Sequence, residues 1–138
     1  MKVALVGYGY WGINLAKTIS ANPNLELYSI FDINNERINA AKECYKFKVF
    51  NTYDDLLKDD NIEAVFVSTP PQTHYKIAYA SLEAKKHTFV EKPYTTNLDE
   101  AYSLINLAEK NSLITMVDHV FVYSEPVKYL KKNINKFG

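Results

Sequence analysis

Read as apolar and polar positions, the chain alternates short apolar runs with stretches in which apolar residues recur every three or four places. The runs Lys2–Val6, Leu25–Phe31, Lys48–Phe50, Ala64–Ser68, Thr88–Val90 and Thr115–Val120 predict strands. Several are apolar almost throughout, the pattern of parallel strands covered on both faces. Between them the spacing predicts helices over Trp11–Ser20, Asn35–Tyr45, Tyr53–Lys58, Thr73–Ala84 and Leu98–Asn111. Asn97 with Glu100 reads as a capping box and Thr52 with Asp55 as a weaker one. Leu98, Ala101, Tyr102, Ile105 and Ala108 mark the expected apolar face of the fifth helix. A last helix, Pro126–Asn135, opens on a residue suited to a first helical position. Its stripe of Val127, Leu130 and Ile134 either docks on the last strand or stays uncovered and drives self-association into a homo-oligomer. Strand and helix alternating through short links predict an α/β fold, a doubly wound parallel sheet of the Rossmann type. Right-handed crossovers then gather the ligand-binding loops at the carboxyl ends of the strands.

Composition narrows the function classes. The 138 residues make one domain, and 16 Lys plus Arg balance 16 Asp plus Glu. No net field therefore favours nucleic acid or an anionic membrane. The pairs Lys85-Lys86 and Lys131-Lys132 are too short for a nucleic-acid patch and read as solvated faces. Cys44 is the single cysteine, which leaves neither a disulfide framework nor a cysteine-based zinc site, and no metal is expected. Placed mid-helix among Ala40, Ala41 and Tyr45, it is expected to be a small buried thiol. Met1-Lys2 runs straight into the first strand, without the regions of a signal peptide and with no apolar run that would span a bilayer. A cytoplasmic location is expected.

The chemistry concentrates at three strand ends. Gly7-Tyr8-Gly9-Tyr10-Trp11-Gly12 follows the first strand and opens the first helix. Gly7 lets the chain turn sharply, Gly9 lets the backbone lie against a pyrophosphate, and Gly12 lets the helix pack close to the sheet. The free N–H groups and positive dipole end of that helix face the anion. Asp32 closes the second strand twenty positions after Gly12, the interval of a carboxylate that accepts hydrogen bonds from the adenosine ribose. The same carboxylate repels a 2′-phosphate, which favours NAD over NADP, although Arg37, one helical turn on, is placed to receive that phosphate. A glycine-rich turn also joins strand to helix without any ligand, and Asp32 also suits a turn before Asn34 and Asn35.

The fourth run leads into Ser68-Thr69-Pro70-Pro71-Gln72-Thr73-His74. Its paired prolines hold the loop extended, and Ser68 and Thr69 offer hydroxyls to a ribose. Thr73 is positioned to cap the next helix. His74, in that helix's first turn, is expected to be a neutral imidazole that hydrogen-bonds the loop in a structural role. The fifth run delivers Glu91-Lys92-Pro93, a charged pair at the end of a buried strand. Spacing alone fits an exposed ion pair as well as a site.

Taken together, these segments resemble the Gfo/Idh/MocA oxidoreductases, glucose–fructose oxidoreductase and inositol dehydrogenase among them. The resemblance runs from Met1 to Gly138. It rests on the glycine turn, Asp32, the Ser68–His74 loop and above all Glu91-Lys92-Pro93. It implies hydride transfer between a nicotinamide and a hydroxyl carbon of a small-molecule sugar, nucleotide sugar or cyclitol. It also implies that Lys92 reaches the substrate, that Glu91 and Pro93 position it, and that the Thr69–Pro71 loop lines the nicotinamide ribose. The stretch Val117–Tyr123 resembles the strand leading into the family's second domain. The expected division is therefore a dinucleotide-binding domain over 1–120 and, over 121–138, a helix leading into a substrate domain that this chain lacks. Lys92 is then expected to be exposed, and the chain to bind cofactor without efficient turnover. The alternative is a stand-alone NAD-binding or sensing module without catalysis.

Overall fold

The computed structural model describes residues 1–136. Five parallel strands form one sheet: β1 (Lys2–Val6), β2 (Glu26–Phe31), β3 (Ala64–Val67), β4 (His87–Glu91) and β5 (Thr115–Asp118). Their spatial order is β2-β1-β3-β4-β5. The chain crosses from β1 to β2 on one side, then passes back over β1 to β3 on the other. The change of direction opens a crevice beyond the carboxyl ends of β1 and β3.

The helices are α1 (Tyr10–Ala21), α2 (Asn35–Cys44), α3 (Tyr53–Leu57), α4 (Pro71–Glu83), α5 (Leu98–Lys110) and α6 (Glu125–Asn133). Period-two alternation in the strands divides the core between them. Val3 and Leu5 pack with Leu15, Ile19 and Ile38 on the face of α1 and α2. Ala4 and Val6 pack with Leu56, Leu82 and Leu104 on the face of α3, α4 and α5. Side-chain caps appear where the sequence placed them. Asn97 accepts from Glu100 N at 2.9 Å, and Thr52 Oγ1 from Asp55 N at 3.1 Å. Each satisfies an N–H that the helix itself cannot.

Five local expectations are corrected. Residues 48–50 form no strand, only a bridge between Lys48 and Ser29. That segment is held by its side chains, with Lys48 Nζ 2.8 Å from Asp59 and Phe50 packed on the core. The last strand ends at Asp118, and Val120–Tyr123 turn into a 3₁₀ helix. Helix α4 starts at Pro71, in the first turn where a missing N–H costs nothing. Thr73 therefore lies inside it and donates to Pro70 O at 2.7 Å instead of capping.

The buried face of α5 is formed by Leu104 and Ala108, while Leu98 and Tyr102 are exposed. Two apolar stripes run along this helix about a quarter turn apart, and the stripe with the smaller residues packs inward. Cys44 is exposed, because α2 ends there and the residue falls about a quarter turn off the stripe of Ile38, Ala41 and Tyr45. Val127 and Leu130 of α6, and Ile134 just beyond it, are all exposed. Among the described residues no helix is long and apolar enough to cross a membrane.

Candidate functional site

The carboxyl ends of the strands enclose two neighbouring cavities. The first, about 450 Å³, is bounded by Gly7 and Gly9, by Asp32, Ile33 and Arg37, and by the Ser68–Pro70 loop. The second, about 470 Å³, lies among Tyr10, Trp11, His74, Glu91, Lys92 and Asp118. Ser68 and Thr69 line both. Each is of a size that takes a nucleoside-sized ligand.

The glycine turn joins them. Gly7 has φ +96°, a conformation costly for any residue with a Cβ. An added Cβ on Gly12 would sit 2.1 Å from Gly7 O, so only glycine lets α1 begin this close to the turn. Gly9 differs from both. A Cβ there would project into open space, with the Arg37 guanidinium at 3.7 Å as its nearest neighbour. The backbone at Gly9 is thus bare where it borders the first cavity, beside the N-terminus of a 12-residue helix. That cradle fits a pyrophosphate.

Asp32 is held before any ligand arrives. Its Oδ2 accepts from Tyr8 N at 2.7 Å and its Oδ1 from Asn34 N at 2.8 Å. Arg37 Nη1 approaches Oδ2 at 3.4 Å. The carboxylate is nearly buried at 4% side-chain exposure, whereas Arg37 is half exposed. A carboxylate has about four lone-pair sites, so two backbone donors leave capacity for ribose hydroxyls. Tyr8 reaches the site only through its N–H, because its ring is buried in the core. Tyr10 and Trp11 line the second cavity, Tyr10 almost fully exposed.

Ser68 Oγ donates to Gly7 O at 2.7 Å, tying the end of β3 to the glycine turn. His74 is 1% exposed, with Nδ1 2.8 Å from Pro93 O and Nε2 2.8 Å from Thr69 O. It therefore clamps the loop after β3 to the loop after β4, the structural role that the sequence suggested. Both ring nitrogens thus face backbone carbonyl oxygens. Pro70 borders the first cavity and Pro71 the second.

Lys92 is exposed at the mouth of the second cavity, and the Lys92–Pro93 peptide bond is cis. Glu91 is buried, its Oε2 accepting from Lys92 N at 3.1 Å and its Oε1 facing no donor. Burial first, and then the neighbouring Asp118 carboxyl, raise the Glu91 acid from its ordinary 4.5 to about 7. Asp118 is buried as well and receives Trp11 Nε1 at 3.4 Å.

The motif residues gather around these two cavities, although Tyr8 and Gly12 shape the turn without lining either one. The sequence reading gave no site role to Ile33 and Ile77 in the first cavity, or to Asp118 and Phe121 in the second. A signal for Asp118 was present, because it closes its strand as Glu91 does and the two are register partners. Among the described residues no group of three or more His, Cys, Asp or Glu is arranged to hold a metal.

Comparison with known proteins agrees with this geometry. Residues 1–119 match a family model described as an oxidoreductase family with an NAD-binding Rossmann fold. A UDP-N-acetylglucosamine 3-dehydrogenase of Acidithiobacillus ferrooxidans is 29% identical over 96% of this chain and 41% of its own length. A myo-inositol 2-dehydrogenase of Thermotoga maritima is 30% identical over 97% of this chain and 40% of its own. An NAD-binding protein from Listeria innocua superposes with TM-score 0.88 at 30% identity, covering 98% of this chain and 40% of that one. The chain spans about 40% of the length of these relatives.

Proposed function

The chain belongs to the Gfo/Idh/MocA oxidoreductase family as an NAD(P)-binding Rossmann domain, and from that premise we propose that it serves a sugar-type dehydrogenase. Adenosine occupies the first cavity, the pyrophosphate crosses the bare face of Gly9, and the nicotinamide enters the second cavity beside Lys92. The observation that carries this reading is that two neighbouring cavities share Ser68 and Thr69 as a common wall, with the bare backbone of Gly9 in the first and Lys92 in the second.

Each residue then has a physical task. Asp32, pre-set by Tyr8 N and Asn34 N, accepts from the ribose hydroxyls and favours NAD. Arg37 screens that carboxylate and can turn from it to a 2′-phosphate, which keeps NADP within reach. His74 fixes the loop that forms the common wall. When bound, the cofactor supplies the hydride chemistry. Lys92 hydrogen-bonds the oxygen on the reacting carbon and stabilises its charge, while Glu91 Oε2 anchors the lysine's backbone N–H. The substrate class supported by the relatives is a hydroxylated ring: a sugar, nucleotide sugar or cyclitol. Because Lys92 is exposed, water reaches it freely, and residues 1–138 alone bind cofactor without efficient turnover.

Trp11 is the single tryptophan and lines the second cavity, so its emission reports on the nicotinamide end. Titration with NADH and NADPH should give saturable quenching with energy transfer to the reduced ring, stronger for NADH. A folded chain that responds to neither cofactor would refute the assignment.

A further inference from the structure

The second cavity contains a pair of acids that this reading leaves without a task. Glu91 and Asp118 close neighbouring parallel strands as register partners, which sets their side chains on the same side of the sheet. Each is only 8% exposed. Glu91 Oε2 is satisfied by Lys92 N, and Asp118 Oδ2 by a long bond from Trp11 Nε1. Glu91 Oε1 is fully buried and has no donor.

The two buried carboxyls are neighbours on adjacent strands, close enough for the Asp118 carboxyl to raise the Glu91 acid, and neighbouring carboxyls can hydrogen-bond each other only by keeping a proton between them. A shared proton supplies the donor that the buried oxygen lacks. It also spares the cavity a second negative charge that no buried cation offsets. Lys92 does not fill this role, since its side chain is at the exposed mouth.

We propose that Glu91 and Asp118 act as one proton-sharing unit facing the nicotinamide, and that losing its proton makes the site favour the oxidised cofactor over the reduced one. This rests on the placement of the nicotinamide in the second cavity proposed above. The oxidised ring carries a positive charge and the reduced ring carries none. Going from one negative charge to two therefore strengthens binding of NAD⁺ and leaves NADH nearly unaffected. By linkage the converse holds, and bound NAD⁺ releases the proton more readily than bound NADH. Burial and the neighbouring Asp118 carboxyl displace the Glu91 acid towards neutrality.

The other titratable groups lining this cavity are Tyr10 and Lys92 at the mouth and His74 from α4. A charge change at His74 would mimic one at the acid pair. The variants below separate the two.

The test measures dissociation constants of NAD⁺ and NADH from Trp11 emission between pH 5.5 and 8.5, on the wild-type chain and on Asp118→Asn and Glu91→Gln. In the wild type the ratio of the NAD⁺ constant to the NADH constant should fall roughly tenfold across the range, the size expected for one charge several ångströms away in a partly wet cavity. Both variants should abolish that fall, because a single carboxyl has no partner with which to share a proton. Carboxyl ¹³C titration of the unliganded chain should show one of the two acids losing its proton near neutral pH. A ratio independent of pH, a fall that persists in both variants, or two acids that titrate as ordinary carboxyls would each overturn the proposal. If neither cofactor binds at any pH, the placement of the nicotinamide has failed instead. The ¹³C titration then still decides whether the proton is shared.

Discussion

Replacing Gly9 by alanine adds one methyl group at a position where the fold has room for it and the proposed pyrophosphate does not. The nearest protein atom to that methyl is Arg37 Nη1 at 3.7 Å, ordinary contact, and the backbone at φ −85° suits any residue. Alanine caps a helix less well than glycine, but it also restricts the unfolded chain. The two effects offset to within about 1 kcal/mol. Binding is another matter. A methyl group in the cradle moves the phosphates off the backbone N–H groups, and each charge-assisted bond lost costs about 1.5–3 kcal/mol. One such bond corresponds to a roughly 10- to 150-fold weaker dissociation constant.

The control is Gly12→Ala, whose methyl would sit 2.1 Å from Gly7 O and must displace the turn itself. Overpacking of this kind typically costs about 1–3 kcal/mol of stability. Urea denaturation and the Trp11 titration with NADH, run on both variants, separate the cases. Gly9→Ala should unfold like the wild type and bind poorly, whereas Gly12→Ala should lose stability. A folded Gly9→Ala chain that binds NADH within twofold of the wild type would show that nothing lies against this backbone.

Asp32→Ala should lower stability as well as binding, because it leaves the buried Tyr8 N–H without an acceptor, at about 1–3 kcal/mol; a change in urea midpoint checks this, and an unaltered midpoint would mean water replaces the carboxylate. Arg37→Ala should weaken NADPH about tenfold, one charged hydrogen bond, with little effect on NADH; equal losses for both would remove Arg37 from cofactor discrimination. Glu91 makes stability depend on pH with an unusual sign. Its acid is raised in the fold, so its contribution is complete below about 4.5 and is lost as pH rises through about 7. Relative to Glu91→Gln, the wild type should therefore lose stability over that window, by no more than about 1.4 kcal/mol per pH unit for one proton. A difference that is flat or of opposite slope, measured by denaturation at several pH values, would exclude a raised acid.

The sheet was legible because parallel strands buried on both faces announce themselves as unbroken apolar runs. The glycine turn was legible because its three positions answer to three separate steric demands. Asp32 was singled out by its spacing from the glycine turn and Lys92 by the family resemblance, and both lie at cavities. What escaped the one-dimensional reading depends on neighbours distant in sequence. Two stripes on α5 were equally apolar, and only the packed structure shows which one faces inward. Cys44 looked buried by its company, yet it falls off the buried stripe in the last position of its helix. Lys48–Phe50 has a strand's composition but pairs at a single point. The acid pair is the clearest case. Glu91 and Asp118 are 27 positions apart, and only the β4–β5 register brings them together.

Ser68 and Thr69 are a party wall between two rooms. The wall is braced from one side by the Gly7 carbonyl, which Ser68 grips, and from the other by His74. Whatever straightens it for one tenant straightens it for the other. Two half-molecules, one with the adenine end and one with the nicotinamide end, would therefore assist each other's entry without touching. A covalent link between them adds advantage beyond the sum of its parts only to the extent that this wall yields. Under the placement proposed above, a compound that displaces this wall from either room disturbs the other.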